Sequence, residues 1–374
     1  MDLFQTVTEG AMIRDSRPLA DFKTATFSGY KKTEVRDLLV AALRNGKVEN
    51  ACYWSVELVC SGAFLELWET LLHVLGKYIH HGNPLMTHYY RRRYALFRAI
   101  MNDPQIYASP LELRNNVVMR RLFAELVSTV ALSEKRPSYE ELKTTDLVGE
   151  DGLLQIAARL KADRPDYAAA VFQEDDPREL VIFLNELCYH LQKSRSMNDA
   201  CTWIEWVLQF AALCKGRGEP LFLEPRSGYD DVDKKFRKDP IWIVWELLLH
   251  VASVKSDGIN AVMVSLFELF RIRYAGLSTC KKRKPLIYFA VSLLTEPVTI
   301  RAELATDKSK EVVRVVTENV DKIYEGLQPA STTATAATAA TGTSVSFRTI
   351  EKRENLEDSL KKMELLSLID TVVK

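Results

Sequence analysis

Trp68-Glu69-Thr70-Leu71-Leu72-His73-Val74 returns 177 residues later as Trp245-Glu246-Leu247-Leu248-Leu249-His250-Val251, with six of seven positions identical. Leu65, Trp68, Leu72 and Leu75 step by three and four residues and so share one face of a helix. Two further matches keep the same order. Asn50-Ala51-Cys52-Tyr53-Trp54 corresponds to Asp199-Ala200-Cys201-Thr202-Trp203 at an offset of 149, and Arg91-Arg92-Arg93-Tyr94-Ala95 to Arg271-Ile272-Arg273-Tyr274-Ala275 at an offset of 180. Colinear matches of this kind are the mark of an internal repeat. The change of offset requires an insertion of about 28 residues in the second copy, and Lys215 to Asp239, rich in Gly, Pro and charge, reads as a surface loop that supplies it.

Each copy is preceded by an amphipathic segment, Glu34 to Arg44 and Glu179 to Lys193, that ends in a polar link, Asn45-Gly46-Lys47 and Ser194-Arg195-Ser196. The pattern predicts a helix-turn-helix hairpin in each copy. The expected fold is all-α: two related helical lobes, built by duplicating helical hairpins, plus a tethered C-terminal amphipathic helix. The division by sequence is an N-terminal extension over 1–30, lobe one over 31–145, lobe two over 146–328 with the inserted loop 215–239, a tether over 329–346 and the terminal helix over 347–374.

Composition agrees with a helical, core-forming chain. Apolar residues make up 47% of 374 residues, and the 15 glycines and 13 prolines come to about 7.5% of the chain, below the ~12% typical of globular proteins. Fifty basic residues balance fifty acidic ones, so no long-range field draws the chain to nucleic acid or anionic lipid. The apolar stretch Ile241 to Val254 contains Glu246 and His250, and no transmembrane segment is expected. The first thirty residues lack the apolar core of a signal peptide, which points to an intracellular setting. The six cysteines lack CxxC or CxxxC spacing and read as reduced core thiols.

Past Pro329 the chain is almost wholly Ala, Thr and Ser to Ser346, too poor in apolar surface to fold alone. Beyond this tether Leu356, Leu360, Met363, Leu366, Ile369 and Val373 form an apolar stripe with a charged opposite side. Such a helix buries its stripe either on its own lobes or in a groove of another subunit.

No catalytic residue, cofactor-binding residue or metal ligand is assigned. His80, His81 and His88 stand near Arg91-Arg92-Arg93, but without HExxH or comparable spacing they predict a water-exposed or helix-end cluster. Glu69 and Glu246 are expected to salt-bridge the duplicated Arg93 and Arg273. No phosphate-cradling glycine loop and no nucleophile elbow occurs. Candidate partner contacts are therefore Leu356, Leu360, Met363, Leu366 and Ile369 on the terminal stripe, and Arg91, Arg92, Arg93, Lys281, Lys282 and Arg283 in the basic runs.

The stretch from Ser28-Gly29-Tyr30-Lys31-Lys32 through Lys47-Val48-Glu49-Asn50-Ala51-Cys52-Tyr53-Trp54 to His81-Gly82-Asn83-Pro84 resembles a helical protein family of nucleocytoplasmic large DNA viruses that infect algae and amoebae. The resemblance covers about the first hundred residues. It implies a non-enzymatic minor capsid protein located in the host cytoplasm and the virion, with other protein subunits, capsid proteins or its own copies, as partners. The helical pair around Asn50 to Trp54 also resembles the helical collar of clamp-loader-type proteins. That second resemblance implies the alternative, a DNA replication or processing accessory, in which nucleic acid is the less favoured partner.

Overall fold

The computed structural model describes residues 12–103, 109–137, 150–327 and 329. Among these residues all regular structure is helical, and extended backbone pairs only at two isolated bridges, Ala25 with Lys31 and His80 with Arg136. The chain is therefore all-α. In chain order the α-helices are α1 (Lys32–Arg44), α2 (Val48–Cys60), α3 (Phe64–Val74), α4 (Met86–Asn102), α5 (Val117–Leu132), α6 (Glu150–Arg159), α7 (Val181–Tyr189), α8 (Met197–Gly216), α9 (Ile241–Ser253), α10 (Asp257–Arg271), α11 (Leu277–Thr295), α12 (Asp307–Glu318) and α13 (Asp321–Gly326). Most of the tether and the whole 347–374 segment, with Leu356, Leu360, Met363, Leu366 and Ile369, lie outside the described residues.

Two compact units form. The first comprises the described parts of Met1–Val74, Arg92–Ser133 and Ala305–Lys374. Its frame is the hairpin of α1 and α2. Glu34 in the first turn and Arg44 in the last complement the α1 dipole, and Gly46, at φ 71°, takes the left-handed position that closes the helix. The Gly46 and Lys47 amides then satisfy the carbonyls of Leu43 and Ala42. α5 packs on α1 and α2, and α12 packs on α5 through the buried Val312 and Val316. Trp68 meets Tyr94 edge-on at 5.2 Å, and Phe64 stacks on Phe123 at 5.9 Å. Arg120, on α5, is buried beneath α13: it bonds Asp321 at 2.7 Å and lies 3.9 Å from the Tyr324 ring.

The second unit comprises Leu75–Arg91 and the described parts of Glu134–Leu304. Its hairpin joins α7 to α8 through a π turn, His190–Ser194, and Arg195 in left-handed backbone at φ 51°. Ser196 then caps α8 by accepting the Asp199 amide. Trp242 and Trp245 of α9 sit among Phe267, Phe270 and Tyr274, and Trp203 meets Trp206 edge-on at 4.8 Å. A second π turn, Leu75–Ile79, lies on α11, where Pro285 interrupts the helical hydrogen bonding. The approach is close enough that a Cβ on Gly76 would stand 2.7 Å from the Pro285 carbonyl carbon. Only glycine fits there.

Packing thus groups the chain differently from its order. Residues 75–91 join the second unit because Leu75 and Ile79 bury against α11, and residues from 305 onward join the first because α12 needs α5 to cover its two valines. The first two repeat matches occupy like positions, with Cys52 and Cys201 near the starts of α2 and α8, and Trp68 and Trp245 buried on α3 and α9. In the first unit α2 packs on α1, α3 and α5; in the second α8 packs on α7, α9 and α11. The third match differs. Arg91 to Ala95 lies inside α4, whereas Arg271 ends α10 and Arg273 is left-handed at φ 45°.

The loop over 215–239 is more than surface. Leu223, Arg226, Tyr229 and Val232 are buried, the Leu223 amide bonds the Lys238 carbonyl at 2.9 Å, and the Trp242 indole donates to the Phe236 carbonyl at 2.7 Å. Its exposed charges conceal an anchor. A composition rich in Gly, Pro and charge reports the outward residues and hides the four inward ones.

Candidate functional site

A buried grouping of protonatable side chains lies in the second unit, where the π turn at 75–79 runs into His80 and His81. His80 adopts left-handed backbone at φ 45°, uncommon for a side chain with a Cβ. The Arg136 amide donates to the Ile79 carbonyl at 3.2 Å and fixes the turn from one side. Gly82 lets the chain pass the Glu134 carbonyl, which a Cβ would meet at 2.6 Å. The two imidazoles stack, centroids 4.5 Å apart, over Phe289 of α11. The sequence predicts a water-exposed or helix-end cluster; His80 and His81 do follow the end of the π turn, but they are 4% and 7% exposed, because the turn closes on α11 to bury Leu75 and Ile79.

Both imidazoles converge on one hydroxyl. Ser292 Oγ lies 3.0 Å from His80 Nε2, 2.7 Å from His81 Nε2 and 2.8 Å from the Phe289 carbonyl oxygen. A hydroxyl has one proton for these three neighbours, so at least one imidazole donates its Nε2–H to Ser292. His80 also has a hydrogen bond with the Tyr288 backbone. His81 Nδ1 has no hydrogen-bond partner and stands 3.5 Å from Glu296 Oε2.

Electrostatics favours neutral rings. Burial, then the proximity of His81 and Arg136, pushes His80 down to about 3; burial, then Arg136, pushes His81 down to about 4. Burial also pulls the neighbouring Lys135 down to about 8. Ser292, His81 and Glu296 follow one another as nucleophile, base and carboxylate do in acyl-transfer enzymes, but Ser292 is fully buried and met by protein on every side. What the group can do chemically is take up protons. His88 is not part of it and meets Ser265 Oγ at 2.7 Å. No group of three or more His, Cys, Asp or Glu side chains able to hold a metal ion occurs among the described residues.

A second polar centre anchors the 215–239 loop. Arg226 uses all five N–H groups: Nε to Glu246 at 2.8 Å, two at 2.5 Å to the carboxylate of Asp176, and one each to the carbonyls of Glu224 and Val171. Burial alone would raise the Asp176 carboxyl. The bonds from Arg226 and from the amides of Gln173 and Glu224 outweigh burial and hold it below the ordinary range. Glu246 therefore takes Arg226 rather than the duplicated Arg273, and Arg93 pairs with Glu125 of α5. In the second copy, the repeated acid is thus committed to the inserted loop.

The basic runs divide into internal and outward residues. Arg91 bonds Glu268 at 3.1 Å while half-exposed, and Arg92, Lys281 and Lys282 are exposed. Arg283 is buried, with its guanidinium capping α10 through the Phe270 carbonyl at 2.7 Å and the Ile272 carbonyl, so it is not a surface contact. Lys284 bonds Glu205 at 3.0 Å, which also accepts from the Tyr288 hydroxyl. The cysteine thiols of the described residues are all free, and five of the six are buried. No helix of the described residues is long and apolar enough to cross a membrane.

No protein-family model, no curated protein and no solved structure matches this chain.

Proposed function

We propose that this chain is a non-enzymatic structural protein that works by binding other protein subunits, and that its setting is the shell of a large DNA virus, where it serves as a minor capsid protein. In this reading it resides in the host cytoplasm and the virion and contacts capsid proteins or further copies of itself. The observation that carries the reading is how its arginines are engaged. Arg114, Arg120, Arg226 and Arg283 are buried, and each ties backbone carbonyls to a carboxylate or a helix end within its own unit. Such bonding stiffens a helical unit and presents a fixed surface to a partner. The resemblance over residues 28–84 and the apolar stripe from Leu356 to Val373 supply the viral setting and the means of attachment.

The two units are further read as diverged copies of one helical unit. Supporting this are the two repeat matches that fall on like helices and the shared packing of each hairpin on a third and a later helix. The DNA-accessory alternative leans on the basic runs and is weakened where Arg283 and Lys284 are engaged internally.

Deleting Ser331 to Lys374 tests the attachment. The truncated chain is expected to keep the buried-tryptophan fluorescence and cooperative unfolding of the full chain and to fail to join particles; truncated protein that is incorporated normally contradicts the reading.

A further inference from the structure

The histidine pair joins three segments of the second unit: the turn over 75–83, the stretch over 134–136, and α11. We propose that this junction is an acid-released latch, in which protons taken up by His80 and His81 part the turn from α11 while the remainder of the unit stays folded. The proposal is independent of the viral reading.

Three features of geometry carry it. First, the polar closure of the turn on α11 rests on the two imidazoles, which share the Ser292 hydroxyl from 212 and 211 residues away in the chain, with His80 also bonding the Tyr288 backbone. Protonating either ring places a cation in a buried site beside the other ring, which stacks on it at 4.5 Å. Second, the charged neighbours are mostly of the wrong sign. Lys77 lies on the turn itself, and the stretch over 134–136 brings Lys135 and Arg136, with its one acid, Glu134, ion-paired to Arg301. α11 brings the Ser292 hydroxyl, the Tyr288 backbone and one carboxylate, Glu296, which faces His81 Nδ1 and is half-exposed. His81 therefore accepts the first proton, at Nδ1, and among the described residues no carboxylate lies within ion-pairing distance of His80 to receive a second. Third, the turn is poised to leave. His80 is held at φ 45°, and a residue kept in that region relaxes once its surroundings loosen. Gly76 and Gly82 contribute close backbone contact without side chains that would hold the turn in place afterwards.

The direction with pH follows from linkage. An opened histidine takes up its proton near pH 6.5, and the closed sites resist until about 4 and about 3. The closed form is thus at full stability above pH ~6.5 and loses it progressively as pH falls towards those values. At pH 5 each histidine favours opening by about 30-fold, and the two together by about 1,000-fold.

Amide hydrogen exchange of the full chain at pH 7 and pH 5, corrected for the intrinsic rate at each pH, tests the latch. Opening of residues 75–83 and 288–295 is expected to rise by at least about 30-fold at pH 5, with α8 and α9 unchanged, and H80Q/H81Q is expected to abolish that rise. A wild-type rise below about threefold, a uniform rise across the unit, or an unchanged pH response in H80Q/H81Q overturns the proposal. Should H80Q/H81Q fail to fold, the wild-type pattern alone decides, since a rise confined to the two junction segments is the outcome that no general acid unfolding gives.

Discussion

Arg226→Ala is expected to lower the free energy of unfolding by about 3–5 kcal/mol, as removal of one member of a buried ion pair does. The reason is what remains. Asp176 has a side chain with no exposure, and without the guanidinium it keeps two amide donors while losing its counter-charge. The carbonyls of Glu224 and Val171 lose a donor at the same time, and the loop over 215–239 loses the anchor that seats Tyr229 against Trp242. Urea unfolding followed by tryptophan fluorescence measures this, because Trp242 and Trp245 both lie on the helix that Arg226 reaches through Glu246. Arg226→Met combined with Asp176→Leu is expected to cost less than Arg226→Ala, since the fully buried Asp176 charge leaves with its partner and only the partly exposed Glu246 loses a bond. A loss below about 1 kcal/mol for Arg226→Ala would mean that water reaches Asp176 and that the loop is not anchored as described.

Trp245→Ala is expected to cost about 3–5 kcal/mol, the range for emptying a large aromatic from a core. Its ring is fully buried, 5.1 Å from Phe270 and 5.5 Å from Phe267, so truncation leaves a void between α9 and α10. His250, five residues along the same repeat, is exposed, and His250→Ala is expected to stay within about 0.5 kcal/mol. The contrast matters because the two residues are equally well repeated in sequence. Chemical denaturation of both variants distinguishes a core stripe from a repeat retained for contact: equal losses would contradict the assignment of Trp245 to the core.

Much of the fold was legible before any coordinates because helical periodicity reports which face of a segment is buried. The stripes Leu65-Trp68-Leu72-Leu75 and Trp203-Val207-Phe210-Cys214, the link Asn45-Gly46-Lys47 and the paucity of Gly and Pro together describe an all-α chain, and the hairpins of α1 with α2 and α7 with α8 stand where those links fall, although Leu65 is exposed and Phe210 and Cys214 are only half-buried. Periodicity does not report which partner covers a face. Nothing local in Leu75 or Ile79 names α11, and nothing in Val312 or Val316 names α5, so the compact units depart from chain order. The histidine centre was hidden for the same reason. His80 and His81 form an unremarkable polar pair until Ser292, a lone hydroxyl in the apolar run Phe289-Ala290-Val291-Ser292-Leu293-Leu294, is brought to them. A polar residue inside such a run is the signal that could have announced a buried partner. The same applies to Arg226, whose loop composition drowned out its one inward guanidinium.

The internal engagement of charge also bears on the proposed role. Of the six basic candidates, Arg93 pairs with Glu125 and Arg283 caps α10, which leaves Arg91, Arg92, Lys281 and Lys282 facing outward on a chain without net charge. Contacts with protein subunits ask less of net charge and more of rigid shape, which the buried arginine bonds provide.

The central claim, that the chain is a structural component of a viral shell, is tested most directly by quantitative mass spectrometry of particles purified from infected cells. The chain is expected in the purified shell at a fixed copy number relative to the major capsid subunit, and to persist there after washing at high salt. Its absence from purified particles while abundant in the infected cytoplasm would contradict the claim.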